Sequence, residues 1–425
     1  MRKFFYVRLN KFWKILGPGF TTGAADDDPS GIATYSQAGA QFGLSMLWLA
    51  PLSFPLMSLV QEMCARIGIA TGRGLAANIR RHFPRPILYF VTFLLIGANI
   101  LNIGADLGAM AQALQLLIPV PTLYIVVFFA VVSLLLQIFL SYATYARYLK
   151  WLALILLAYV VSALSVSGID WSKVLLKAVT PEFLFNREFI LMVCAILGTT
   201  ISPYLFFWQT SQEVEDGIEK GRTSIAKRAD AATPKAMRSM QIDVWFGMLF
   251  SNLIMFFIIA ATAFTLFQSG AGEITSAADA ALALRPFVGD LSYMIFALGI
   301  IGTGLLAIPV LAGSAAYALS ESLGLREGLN KKWHQAVPFY TILIFSVVVG
   351  ALINVLGIDS IKTLIYSAIL NGLVAPFILI VIVLLSQNKQ VMGKYVNNPI
   401  TTIFGWIVAG IMSVVGVIAV YSLIQ

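Results

Sequence analysis

Histidine and cysteine are nearly missing from this chain, with two of each among 425 residues. His82 and His334 fall in or beside hydrophilic loops, so no histidine stands ready for metal chemistry inside an apolar run. Cys64 and Cys194 both lie within apolar runs, where a thiol packs as a small apolar group and no disulfide framework is implied. Charge is scarce as well: Asp, Glu, Lys and Arg make up 11% of the residues, against 59% hydrophobic. An ordinary soluble domain does not have that composition. The patterns Gly-x-Ser-x-Gly and His-Glu-x-x-His and paired cysteines are missing too, so an enzyme is not expected.

What the chain has is apolar length. Its mean hydropathy is +0.87, and a bilayer core of about 30 Å asks for about 20 apolar residues per helix. Eleven such runs can be drawn: Leu16 to Ala40, Leu44 to Ile69, Ile87 to Leu117, Leu123 to Leu140, Leu149 to Leu164, Ile190 to Gln212, Val244 to Phe267, Leu291 to Leu319, Val337 to Leu352, Thr363 to Leu385 and Ile400 to Leu423. The expectation is an all-α, polytopic membrane protein of about 11 transmembrane helices. The first run is too long for a cleavable signal and should stay as a span.

The net charge of +8 comes from the loops, and the basic residues alternate between them. With the N-terminus inside, 23 of the 28 Lys and Arg fall on inner segments and 5 outside. This is the positive-inside bias. It puts the N-terminal segment 1–15 in the cytoplasm and the C-terminus outside, in a cell membrane expected to be a bacterial inner membrane. The basic surplus is thereby a matter of topology, and nucleic acid is not expected as a partner. The lipid bilayer is, and the chain is expected to be a monomer.

The acids are placed where they cost most. Asp26, Asp27 and Asp28 stand in the middle of the first run, at the head of Asp28-Pro29-Ser30-Gly31. A carboxylate at that depth costs a few kcal/mol and faces a cavity, a partner charge or an ion. Proline removes a backbone donor and glycine relaxes the helix, which leaves free carbonyls beside the acids. Carboxylate plus carbonyl is a hard-cation site. A second interruption, Gly198-Thr199-Thr200-Ile201-Ser202-Pro203-Tyr204, lies in the sixth run, five spans later. Paired interruptions in two five-span halves point to an inverted-repeat transporter with its site at mid-membrane. The halves would be residues 16–164 and 190–385, with 400–423 an added span. The connection from Glu213 to Asp243, with six basic and six acidic residues, reads as a partly ordered connector.

Leu16-Gly17-Pro18-Gly19, Asp28-Pro29-Ser30-Gly31, Val60-Gln61-Glu62, Gly68-Ile69-Ala70-Thr71-Gly72-Arg73, Asp106-Leu107 and Ile201-Ser202-Pro203-Tyr204 resemble, in order and spacing, the NRAMP family of divalent metal transporters. The resemblance covers nearly the whole chain and implies a LeuT-like fold. It puts the metal-binding aspartate on Asp28, a ligand carbonyl on Ala25 and the unwound span-six carbonyl on Thr199. The family's asparagine falls on Gly31, its metal-binding methionine on Ser202, and its two span-six histidines on Tyr204 and Gln209. Asp106 matches a proton-linked aspartate, while a neighbouring glutamate position reads Ala109 and span nine has no arginine.

These departures have a chemical direction. A thioether favours softer metals, whereas carboxylate, carbonyl, hydroxyl and water suit magnesium, calcium and manganese, and a glycine leaves room for an ion that keeps its waters. The pattern is similar to the NRAMP-related magnesium transporter branch. The expected function is import of Mg²⁺ or Mn²⁺ by alternating access without proton coupling, the metal being substrate and no resident cofactor being called for. A proton-coupled Mn²⁺/Fe²⁺ symporter is the alternative, and a sodium-coupled amino-acid carrier is disfavoured by acids where a substrate carboxylate would sit.

The expected metal site is Asp28, Ala25, Asp27, Thr199 and Ser202, with Gly31, Asp106, Tyr204, Gln209 and Asn371 around it or along the pathway. Asp27 reads as lining the vestibule or holding a metal-bound water; adjacent helical positions diverge by about 100°, so the three acids cannot share one ion. Asn371 equally suits a hydrated ion or an interhelical hydrogen bond. Glu62 reads as the partner of Arg66, four residues on.

Overall fold

Both expected interruptions restart on proline, which suits the first turn of a helix because its missing N–H would be unpaired there anyway. The computed structural model describes residues 17–140, 154–166, 169–184, 186–270 and 272–424. In it the first span is two helices, α1 (Pro18–Asp26) and α2 (Pro29–Phe42), parted at Asp27 and Asp28. The chain then turns by 110° into α3 (Leu49–Thr71), followed by a short α4 (Leu75–His82) and the long α5 (Arg85–Gln115). Next come α6 (Thr122–Phe139) and α7 (Leu157–Ser165). The start of the expected fifth span, and the N-terminal segment, lie outside the described residues.

The sixth span repeats the plan of the first, with α8 (Arg187–Thr200) and α9 (Pro203–Glu219) parted at Ile201 and Ser202. The remaining spans are α10 (Pro234–Thr262), α11 (Ser292–Leu323), α12 (Val337–Ile353), α13 (Ser360–Ser386) and α14 (Pro399–Ile424). Counting α8 with α9 as one, eight of the described helices are long and apolar enough to cross a membrane by themselves. No strand occurs among the described residues. Each of the eleven expected spans has its helix or helix pair, the fifth in part.

One expectation is corrected. The connector from Glu213 to Asp243 is largely helical: α9 runs on to Glu219, a short helix covers Ile225–Asp230, and α10 begins at Pro234, capped by Thr233. The charges that resemble a loop are an amphipathic helix end, with Asp216 paired to Lys220 one turn later at 2.5 Å.

Small residues fix how the broken spans are held. A side chain at Gly23 would run into the backbone of Gly247, and one at Gly247 into Gly19 and Phe20, so α1 lies backbone to backbone on α10. Likewise a side chain at Gly198 would meet Ala368 and Gly372, and one at Gly372 would meet Cys194, which seats α8 on α13. Such small-residue contacts let helices approach closely without a hydrophobic drive between them. Gly104 and Gly108 do the same for α5, against Gly350 and Ile353 and against Asn354 and Ser360.

Loops expected on one side of the membrane do meet. Arg66 Nη1 donates to Asn397 (2.8 Å), Arg228 Nε to the carbonyl of Gly72 (3.0 Å), and the Tyr395 hydroxyl to that of Ala232. At the opposite end Trp48 packs on Phe183, and the Ile274 N–H donates to Gln37 Oε1 (2.9 Å). Glu62 pairs with Arg66 as expected, and also accepts from Gln241 (2.9 Å) and the Trp245 indole (2.8 Å), which clasps α3 to α10.

Candidate cation site at the helix breaks

Asp28 is held from two helices. It is the residue before α2, with φ −73° and ψ 172°, and its Oδ1 accepts the Gly31 N–H at 2.7 Å. That is an ordinary helix cap. Its Oδ2 accepts Asn102 Nδ2 of α5 at 2.8 Å, and the Asn102 carbonyl oxygen accepts the Ser367 hydroxyl of α13 at 2.6 Å. Ser367 in turn lies 3.1 Å from Ser30, whose hydroxyl reaches the Leu364 carbonyl at 2.9 Å. The cap and the cross-helix amide together fix the carboxylate plane.

The second break faces this carboxylate. The Tyr204 hydroxyl lies 3.5 Å from Asp28 Oδ2 and 3.4 Å from the Ala25 carbonyl oxygen, so one donor stands between two of the expected ligands. A Cβ on Gly31 would lie 3.2 Å from Thr199 Oγ1 and 3.4 Å from both Asp28 Oδ1 and the Asp26 carbonyl oxygen. Three oxygens from both breaks therefore surround the space that Gly31 leaves open.

The other expected residues fall as follows. The Ser202 hydroxyl donates back across the break to α8, to the carbonyls of Thr199 (2.5 Å) and Gly198 (3.0 Å), so the span-six carbonyl already has a donor. Asp26 and Asp27 share one partner, Ser251 of α10, whose hydroxyl is 2.6 Å from Asp26 Oδ2 and 3.1 Å from Asp27 Oδ1. Their remaining oxygens are buried and unpartnered, as are both oxygens of Asp106 and Oδ1 of Asn371. Gln209 is not brought to Asp28: it donates to Glu213 Oε1 at 2.9 Å, toward the vestibule.

Asn102, Ser367 and Ser251 were not singled out from the sequence. A signal existed for the first, because Asn99, Asn102 and Asp106 recur at helical spacing along one face of an apolar span.

Asp28, Tyr204 and Thr199 are 1%, 1% and 2% exposed, so the site is shut from both sides. On one side an apolar slit of about 10 Å³ runs past Pro29, Ser36 and Ala109. On the other a vestibule of about 340 Å³ is lined by Pro18, Glu213, Asp216 and Asp243. Asp243 accepts the backbone N–H groups of Gly17 (2.8 Å), Gly19 (2.7 Å) and Phe20 (3.1 Å), closing the start of α1 over it.

The charge balance is one-sided. Asp26, Asp27, Asp28 and Asp106 are all buried, and the ion pairs found among the described residues lie elsewhere. Buried carboxylates call for a counter-charge. Among the described residues no three His, Cys, Asp or Glu side chains close into a metal cage. One carboxylate among neutral oxygens suits an ion that must be released as well as bound.

The sequence model of the natural resistance-associated macrophage protein-like family matches residues 19–422. The divalent metal cation transporter MntH of Caldanaerobacter subterraneus subsp. tengcongensis is 27% identical, over 98% of this chain and 94% of that one. The MntH of Yersinia enterocolitica is 26% identical, over 92% and 90%. Among solved structures, the manganese transporter of Eremococcus coleocola in complex with an aromatic bis-isothiourea substituted compound superposes with a TM-score of 0.77 at 21% identity, over 97% of this chain and 87% of that one.

Proposed function

The chain belongs to the natural resistance-associated macrophage protein-like (Nramp) family, and from that premise we propose that it carries divalent metal cations across the membrane by alternating access, with the hard ions Mg²⁺ and Mn²⁺ as cargo and no proton coupling. The relatives it matches along almost their whole length are divalent metal cation transporters, and transport rather than catalysis is what the fold is built for.

One observation carries the choice of ion. The groups ringing the space at Gly31 are a carboxylate, a hydroxyl and a carbonyl, and oxygen donors of that kind favour magnesium and manganese over softer metals. The family resemblance puts Ser202 at the position of a thioether ligand, and its hydroxyl adds no soft donor. Gly31 keeps a side chain out of the gap between these oxygens, which a Cβ would already fill tightly, so a hydrated ion needs the two breaks to part.

In this reading Asp28 supplies the charge and Asn102 and the Gly31 N–H hold it in place. Tyr204 fills the position between Asp28 and Ala25 and swings aside when the ion enters. Ser202 rotates off the Thr199 carbonyl to free it. Asp27 holds a water of the ion through its unpartnered oxygen. Asn371 stands beside the path. Release runs past Gln209 and Glu213 into the vestibule once the Asp243 clasp on α1 opens. The positive-inside bias makes that vestibule cytoplasmic, and an inside-negative potential drives a divalent cation toward it, which is import.

The test is competition in proteoliposomes. Magnesium at millimolar concentration should suppress Mn²⁺ uptake, and cadmium should be no stronger a competitor than manganese itself. Cadmium competing well ahead of manganese, with magnesium inert, would assign the chain to the alternative, a proton-coupled transporter of softer ions. The bare carboxyl of Asp106 is the feature that favours that second reading.

A further inference from the structure

A second polar cavity, of about 330 Å³, lies beside the vestibule but off the transport path, between α9, α11 and the loop that follows α11. Three carboxylates line it: Glu215 of α9, Glu321 of α11 and Glu327 of the loop. Glu215 is 7% exposed; its Oε1 accepts the Tyr317 hydroxyl (2.6 Å) and the Leu329 N–H (3.1 Å), while its Oε2 is buried with no partner. Glu321 is 4% exposed; its Oε2 accepts the Ala77 N–H of α4 (2.8 Å), the Ala76 N–H also faces the carboxylate, and its Oε1 lies 3.5 Å from the Ser211 hydroxyl. Glu327 Oε2 is also buried and unpartnered.

Basic residues are at hand, yet they spend their donors on backbone. Arg228 donates to the carbonyls of Gly72 (3.0 Å) and Thr223 (3.0 Å), Lys331 to that of Glu327 (2.6 Å), and Arg80 to that of Glu321 (3.4 Å). The ion pairs found among the described residues do not include these acids. Lys331 and Arg228 therefore act on Glu215 and Glu327 only through space, with no direct ion pair, and buried carboxylate oxygens without a direct partner are costly unless a further counter-ion joins them.

We infer that this cavity is a binding site for a hard divalent cation, separate from the transport site. All the available donors are oxygens, which suits magnesium or manganese. Three acids do not close on a single point, and the cavity has room for several waters at about 30 Å³ each, so the ion is held partly hydrated between Glu215 and Glu321. There it bridges the far end of α9, the second half of the broken sixth span, to α11 and through Glu321 to α4. An ion in place therefore opposes movement of α9 against its neighbours, and binding of metal on that side restrains the transport cycle.

The test is Mn²⁺ binding to the purified full-length chain, counted by electron paramagnetic resonance. Asp28→Ala, which removes the transport site, should retain one bound Mn²⁺ per chain. Adding Glu215→Gln and Glu321→Gln to it should weaken that binding at least tenfold. Loss of all binding in Asp28→Ala alone, or unchanged binding in the triple variant, would overturn the inference. A second measurement needs no substitution: crystals of the unaltered protein grown with Mn²⁺ should show an anomalous peak between Glu215 and Glu321. An empty cavity there at saturating Mn²⁺ overturns the inference even if Asp28 proves to bind metal.

Discussion

Replacing Asp28 separates its two duties, because the same carboxylate caps a helix and is proposed to bind the ion. Its short hydrogen bonds are one on each oxygen, from Gly31 at 2.7 Å and from Asn102 at 2.8 Å, with the Tyr204 hydroxyl farther off at 3.5 Å. Asp28→Ala leaves both buried donors unpaired, at about 1–3 kcal/mol each, which is a large share of a marginal stability of about 5–15 kcal/mol. Asp28→Asn keeps one acceptor oxygen and loses one bond, so it costs about 1–3 kcal/mol and is the better probe. Its effect on the ion is much larger. Removing one charge of a buried pair costs about 3–5 kcal/mol, and each 1.4 kcal/mol is tenfold, so Mn²⁺ affinity should fall by roughly a hundredfold to a few thousandfold. The assay is Mn²⁺ binding to the purified, monodisperse variant together with initial uptake in proteoliposomes. Affinity within threefold of the unaltered protein would remove Asp28 from the site. Asp27→Asn is the internal control: acting through a water, it should cost no more than about 2 kcal/mol.

Two further outcomes test the donor set and the orientation. Ser202→Met combined with Gly31→Asn should move competition toward cadmium and away from magnesium, since it adds a thioether and fills the space between Thr199 and Asp28; an unchanged order would refute the assignment of those positions. Against a background in which Cys64 and Cys194 are buried, Glu273→Cys should label with an impermeant maleimide in intact cells and Lys227→Cys should not, and the reverse pattern would invert the topology.

The breaks could be read from the sequence because their causes are local: a proline that ends hydrogen bonding, a glycine beside it, and acids no membrane helix carries idly. What lay across the helix interfaces could not. Asn102 and Ser367 complete the Asp28 network from residues 74 and 265 positions apart in the chain, and a lone amide or hydroxyl on an apolar helix reads equally as packing. The direction of the Ser202 hydroxyl is a rotamer choice, set by which carbonyl is nearest, and no residue pattern encodes it. Gln209 shows the limit of transferring a role by position: it keeps its place on α9 but bonds Glu213 one turn on. Gly198 was legible only as part of a break, although with Gly372 it also lets α8 and α13 touch.

Coupling is where the site's gaps matter most. A proton route through a membrane needs titratable groups within bonding distance of one another. From Asp28 the bonded neighbours are Asn102 and the Gly31 N–H, with Tyr204 at 3.5 Å, and the Asn102 amide cannot relay a proton at neutral pH. Asp106, the acid that could receive one, meets no side-chain donor and faces only the Ser30 backbone, and Ala109 lies one turn beyond it where a second acid would carry the route onward. Gln209 breaks the line toward Glu213, and α12 brings no arginine to the far side. Among the described residues these groups do not form an unbroken side-chain chain, which supports the proposed uncoupled reading. The driving force left for the metal is its own gradient and the membrane potential, about 2.3 kcal/mol per elementary charge at 100 mV, hence about twice that for a divalent ion. Liposomes holding a pH-sensitive dye should take up Mn²⁺ at a rate set by the imposed potential, with no metal-dependent acidification. Acidification that saturates with Mn²⁺ and disappears in Asp106→Asn would refute the uncoupled mechanism and make Asp106 the proton carrier.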